Sequence, residues 1–253
     1  MNTYEISFSP TGGTKKVAGT LTAELGVKAE NIDLTDRKTD FNGINLTESD
    51  TAVIAVPSYG GRVPAPAAER LAQIKGNGAR AIIVCVYGNR AFEDTLIELN
   101  DYAIKAGFRV VAAVAAIAEH SIAHRYAANR PDRDDTARLK EFGTRIREKL
   151  GSNNCPAPTI PGKRPYKKAA KAGIVPHATG KCVSCGLCAS NCPTGAISTD
   201  NPAKVDKKAC ISCMRCVAAC PHGARKVNGL LISIVNLMLK KPCSTRKECE
   251  LYL

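Results

Sequence analysis

The chain contains no tryptophan, and aromatic residues make up only 5% of its 253 positions. Its core must therefore be aliphatic, and a flat ligand would have to be gripped by tyrosine or by backbone. No apolar run is long enough for a bilayer: the longest near the C-terminus, LLISIVNLML at 230–239, is about half the ~20 residues a spanning helix needs. It reads as a docking or closing helix that packs on the protein, covers a site, or pairs two copies as a homodimer. The opening MNTYEISFSP lacks a basic stretch followed by an apolar one, so no secretory signal is read and the expected location is cytoplasmic. Both the G-x-x-x-x-G-K-[ST] loop of triphosphate-binding folds and the G-x-G-x-x-G of dinucleotide folds are missing. His120 and His124 have no matched ligand partners and read as ordinary surface residues.

Acidic residues are scarce in one part of the chain only. Residues 1–150 hold 20 Lys+Arg against 19 Asp+Glu, a net of +1, whereas residues 151–253 hold 16 against 4, a net of +12. Such a shift marks a domain boundary near 150. Residues 151–176, rich in proline and basic residues, read as a linker or as a segment wrapping one domain onto the other.

What is abundant is cysteine. Eight of the twelve fall in two runs, CVSCGLCASNCP from Cys182 and CISCMRCVAACP from Cys210. A shift of 28 maps Cys182, Cys185, Cys188, Cys192, Pro193, Gly195 and Ala196 onto Cys210, Cys213, Cys216, Cys220, Pro221, Gly223 and Ala224. Cys85 sits in an apolar run and reads as a buried thiol, while Cys155, Cys243 and Cys249 show no ligand spacing. C-x2-C-x2-C-x3-C-P is the bacterial iron–sulfur spacing, with three thiolates on one tight loop and a fourth turned away. Zinc sites use two separated pairs instead.

Residues 177–227 therefore resemble a bacterial-type ferredoxin with two [4Fe-4S] clusters. The resemblance implies crossed ligation, with Cys182, Cys185, Cys188 and Cys220 on one cluster and Cys210, Cys213, Cys216 and Cys192 on the other.

In the first 150 residues apolar runs alternate with amphipathic ones, the pattern of βαβ units on a parallel sheet. Strands are predicted at 3–8, 31–34, 51–57, 81–88 and 110–118, with helices at 65–75, 91–106 and 133–149. After the first strand, SPTGGTKK (9–16) offers hydroxyls, glycines and a helix N-terminus, the makings of a phosphate cradle. PSYGGRVP (57–64) and YGNRAFED (87–94) follow the third and fourth strands, each with a tyrosine beside glycine.

Together these loops resemble those of flavodoxins. The resemblance implies FMN, its phosphate on Ser9, Thr11, Gly12, Gly13 and Thr14, and its ring near Pro57, Ser58, Tyr59, Gly60, Gly61, Tyr87, Gly88, Asn89 and Arg90. Which tyrosine stacks stays open. The expected fold is α/β: a flavodoxin-like doubly wound five-stranded parallel sheet (1–150), the linker (151–176), an α+β two-cluster ferredoxin domain (177–227), and a helix and tail (228–253).

The whole chain resembles the fused flavodoxin-ferredoxin proteins of anaerobes. That implies electron transfer between a low-potential partner, two [4Fe-4S] clusters and FMN. The basic end suits an acidic redox protein of ferredoxin or flavodoxin type, and no nucleic-acid motif appears. An alternative is a ferredoxin-dependent flavin reductase whose small, acidic substrate is held by Arg62 or Arg90. No catalytic residue is assigned. A further alternative is a sensor in which the clusters are structural or redox-sensing.

Overall fold

Apolar runs without polar alternation belong where both faces of a strand are covered, and here they form the middle of a sheet. In the computed structural model, which describes residues 2–26, 28–152, 155–169 and 173–253, β3 (Thr51–Pro57), β4 (Arg80–Tyr87) and β5 (Arg109–Ile117) are buried along almost their whole length. Residues 153, 154 and 170–172 of the expected linker lie outside the described residues. With β1 (Thr3–Ser7) and β2 (Ala29–Asp33) the strands form a parallel set in the order β2-β1-β3-β4-β5. This is the flavodoxin-like doubly wound order, whose direction of winding reverses between β1 and β3.

Around the sheet, α1 (Gly13–Ala23) packs beside α4 (Arg133–Gly151), and α2 (Ala65–Leu71) beside α3 (Thr95–Lys105). Val17, Ala18 and Leu21 of α1 are buried at helical spacing, each large aliphatic contributing about 1.5–3 kcal/mol of transfer free energy. All the carboxyl-end loops, after β1, β3, β4 and β5, meet at one edge, the place where such sheets bind ligands.

A sixth strand, β8 (Glu250–Tyr252), joins these five. It pairs antiparallel with β5 at Ala113↔Tyr252, Val114↔Leu251 and Ala115↔Glu250. ECELYL is too short and polar to announce a strand, but the edge of β5 presents unpaired backbone groups that it satisfies.

The cysteine region holds a two-stranded ribbon, β6 (His177–Ala178) with β7 (Arg225–Lys226), and two one-turn helices, α5 (Leu187–Ser190) and α6 (Arg215–Ala218). Its 28-residue repeat is visible in the backbone. Left-handed conformations recur at Ser184 (φ 56) and Ser212 (φ 55), and at Gly186 (φ 74) and Met214 (φ 62), which cap α5 and α6. Non-glycine residues accept this conformation only when the surrounding structure compels it, so the two loops have one shape despite their different sequences.

Finally, α7 (Gly229–Lys240) starts at the Asn228 side chain, which accepts from Leu230 N, and rests Val235 and Leu239 on Ala123, Tyr126 and Cys243. Its other face leaves Leu230, Leu231, Ile234, Leu237 and Met238 exposed. Among the described residues, no helix is long and apolar enough to cross a membrane.

Candidate functional site

The eight clustered cysteines surround two cavities. One is lined by Cys182, Cys185, Cys188 and Cys220, the other by Cys192, Cys210, Cys213 and Cys216. Each cavity thus takes three cysteines from one run and the last from the other. Burial pushes the thiols of the second set up, Cys213 to about 11 and Cys216 to about 12, and the thiolates of Cys192 and Cys210 add to both shifts. Four thiols so placed cannot ionise together unless a cationic centre offsets their charge. Among the described residues, no three His, Cys, Asp or Glu side chains are grouped to hold a single metal ion. The donor set and its spread fit an iron–sulfur cluster in each cavity.

A buried cation stands beside both cavities. Arg225, 3% exposed, lines the first, where Nη2 lies 3.6 Å from Cys188 Sγ, and its charge also acts on Cys216 and Cys210 of the second. Around Cys220 burial resists ionisation, but backbone N–H groups of Ala224, His222 and Arg225 draw the thiol below its ordinary value. The Ala224 N–H reaches Cys220 Sγ at 3.3 Å.

At the carboxyl edge of the front domain's sheet, the phosphate-cradle turn is built as its residue types suggest. Gly12 takes φ 93, which only glycine accepts easily, and opens α1 with no side-chain cap and no acid in the first turn. Ser9 Oγ accepts from Lys15 N at 2.9 Å. Thr14 is buried, whereas Thr11 and Gly12 are exposed. A helix start whose Gly12 cap offers no side chain, with hydroxyls beside it, suits an anion, so these residues fit the phosphate of FMN.

Of the two tyrosine loops, that after β3 faces the cysteines. Burial and the neighbouring Cys213 thiolate hold the Tyr59 phenol well above its ordinary value. Tyr87 turns instead into the core, 5% exposed, with its ring 5.4 Å from that of Phe92. Pro57 and Ser58 are half-buried, and Ser58 Oγ pairs with Thr95 Oγ1 at 2.7 Å. Gly60 and Gly61 both have positive φ. At Gly61 a Cβ would fall 1.9 Å from Glu93 Oε2, and at Gly88 2.7 Å from His120, so close approach within the chain itself explains both glycines.

Asn89 is engaged by the tail: its amide donates to Thr245 O at 2.8 Å and Cys243 O at 3.3 Å, and accepts from Lys247 N at 3.0 Å. Both arginines are paired internally. Arg62 forms a bidentate pair with Glu98 at 2.6 and 2.8 Å, and Arg90 bonds Glu93 at 2.8 and 3.0 Å.

Three sets of contacts fasten the cysteine-bearing end to this edge. Linker residues cover α3, with Arg164 on Asp101, Lys163 N and Lys167 N on Asp94, and Lys167 Nζ on Glu93. The second cysteine run meets the turn after β1, where Arg215 reaches toward Ser9 and Asp33, while Arg70 donates to Pro193 O. The tail is held by Arg246 on Asp132 and Asp135, and by Arg130 Nη1 on Lys247 O. Three of the sixteen basic side chains beyond residue 150, Arg164, Lys167 and Arg246, thereby pair closely with acids of the front domain.

Arg215 and Arg225 had not been singled out in the sequence. The signal was there: at an offset of 28 they replace Leu187 and Ile197, so they are breaks in the repeat.

Residues 181–224 match the family described as a 4Fe-4S dicluster domain. No curated protein matches the chain. Among solved structures, the chain is similar to a flavodoxin from the domain Archaea (16% identity, TM-score 0.45), covering 60% of this chain and 100% of that one. It is also similar to a Streptococcus pneumonia TIGR4 flavodoxin (20%, TM-score 0.41, 59% and 99%) and to an FMN-dependent NADH-azoreductase from Bacillus anthracis str. Ames Ancestor (12%, TM-score 0.39, 60% and 100%). At these scores the strand order, not the likeness, carries the fold. The chain thus joins a flavodoxin-like sheet to a dicluster domain.

Proposed function

We propose that the protein is an electron carrier linking an external low-potential partner to FMN through two [4Fe-4S] clusters. The observation that supports it most is the second cysteine cavity, whose Arg215 reaches the Ser9 carbonyl at 3.4 Å and whose Cys213 acts electrostatically on Tyr59. When bound, the clusters supply one-electron carriers and FMN a group that takes one or two electrons. On this reading Cys192, Cys210, Cys213 and Cys216 hold the cluster proximal to the flavin, and Cys182, Cys185, Cys188 and Cys220 the distal one. Ser9, Thr11, Gly12, Gly13 and Thr14 hold the phosphate. Tyr59, on which Cys213 acts electrostatically, is the tyrosine we assign to the ring, because Tyr87 is committed to the core.

Fusing the modules fixes their separation and removes the diffusional encounter between them. An acidic redox protein suits the remaining positive charge, and Cys185, exposed at the first cavity, marks the side it approaches. Arg62 and Arg90 are occupied by Glu98 and Glu93, which favours a carrier over a reductase holding an acidic substrate on either arginine.

Anaerobic titration of the purified protein with dithionite, followed by visible absorbance and electron paramagnetic resonance with iron and FMN quantified, tests this. About eight irons and one FMN, all responding, support the carrier. Eight irons with no flavin after reconstitution would refute it.

A further inference from the structure

Arg215 lies inside the second cysteine run, between Cys213 and Cys216, yet its side chain leaves that run. Nη1 comes within 3.4 Å of the Ser9 carbonyl and Nη2 within 3.8 Å of Asp33 Oδ2. The side chain is only 21% exposed, and its Nε is buried without a hydrogen-bond partner. A guanidinium carries five N–H donors in a rigid fork. Burying one behind contacts this long is unfavourable unless an anion completes them. Asp33 does not: its side chain is 53% exposed and too distant for a hydrogen bond.

Two places for an anion flank this group. Arg215 lines the second cysteine cavity. Its head stands at Ser9, where the turn into the N-terminus of α1 begins. The lysines of the turn leave room for it, since Lys16 Nζ is turned away to the Pro131 carbonyl at 2.8 Å and Lys15 acts electrostatically on Glu5.

We propose that Arg215 is shared by the two sites, its guanidinium facing the flavin phosphate on the Ser9–Thr14 turn while the residue also lines the second cysteine cavity. The inference rests on the FMN reading above and adds to it a phosphate contact supplied by the other domain. It makes phosphate recognition depend on domain docking. A flavin without a phosphate gains nothing from Arg215, so the arginine sets specificity for FMN over riboflavin.

The test measures affinity of the full chain, clusters intact, for FMN and for riboflavin by flavin fluorescence, in the unaltered protein, Arg215→Gln and Arg215→Lys, with iron counted on each sample. Arg215→Gln is expected to weaken FMN about tenfold to a hundredfold, the scale of a lost charge-assisted hydrogen bond, with riboflavin unchanged. Arg215→Lys keeps a charge beside the cavity if the glutamine variant loses iron, and shows the same split in smaller measure. Equal weakening of both flavins, or unchanged FMN affinity, overturns the proposal while leaving the FMN reading intact. An unaltered protein that binds neither flavin after reconstitution overturns both.

Discussion

Cys192 belongs to the first cysteine run but lines the second cavity, beside Cys213. The third cysteine of each run lies in a one-turn helix, α5 or α6, and the fourth, just past it, lines the cavity of the other run. Loss of iron should therefore follow the cavity and not the run. Cys192→Ser and Cys213→Ser are expected to leave the same residual paramagnetic spectrum and about four of eight irons, whereas Cys220→Ser should match Cys185→Ser. Cys192→Ser grouping with Cys185→Ser would refute the crossed assignment.

Thr14 is buried at the first turn of α1 and Thr11 is exposed just before it. Neither touches the cysteine cavities, so removing both hydroxyls should act on flavin alone. For Thr11→Ala with Thr14→Ala we expect FMN affinity to fall about tenfold or more while iron per chain stays constant. An equal fall in iron would show that the two sites do not load independently.

The five parallel strands were legible because strands covered on both faces, such as TAVIAVP and AIIVCVYG, carry unbroken apolar runs. The cysteine repeat was legible because thiolates around a cluster impose fixed spacing. Long-range polar pairing was not. That Arg62 belongs to Glu98, or Asn89 to Lys247, depends on which loops the fold brings together, and no local pattern encodes it. β8 escaped for a related reason: a three-residue edge strand has no periodicity to read, only an open neighbour to fill.

Glu98 is 2% exposed and takes three donors, Arg62 Nε and Nη2 and the Val63 N–H. Arg62 also lies 5.1 Å from the Tyr166 ring, so it fastens the linker as well. Arg62→Met strands a buried carboxylate and is expected to cost about 3 kcal/mol, read as a drop in thermal midpoint. Because the pair's own net worth is small, Arg62→Met with Glu98→Leu should recover much of that loss. A double variant as unstable as the single would mean that packing, not charge, is what Arg62 supplies.

Burial, aided by the charges of His124 and Arg90, lowers His120 from 6.5 to about 4. Its Nδ1 accepts from the N–H groups of Ile122 and Ala123, which holds the neutral ring against Gly88. The folded protein thus takes up this proton later than the unfolded chain. The stability from neutral His120 is complete above pH 6.5 and is lost as pH falls toward 4, on the order of 3 kcal/mol in all. His120→Asn keeps an acceptor without the titration, and it should show a flatter decline of thermal midpoint between pH 7 and 4.5. Since both proteins carry the same clusters, their acid response cancels in the difference. Parallel curves would exclude His120 as a contributor.

Asn89 ties the tail to the loop after β4 through three backbone contacts, and β8 continues from them onto β5. Asn89→Ala removes the partner of the Cys243 and Thr245 carbonyls and of the Lys247 N–H, the last two contacts only partly buried, at about 1 kcal/mol. That cost falls on the tail alone, because nothing in β3 or β4 depends on the amide. Hydrogen exchange should accordingly show faster exchange at Lys247 and Leu251 with β4 unchanged, and equal loss across the sheet would contradict a local strap. Flavin affinity on the same variant then separates two roles for the loop: a fall without any change in tail exchange would place the Asn89 amide on the ring, while faster tail exchange at constant affinity assigns it to holding the tail.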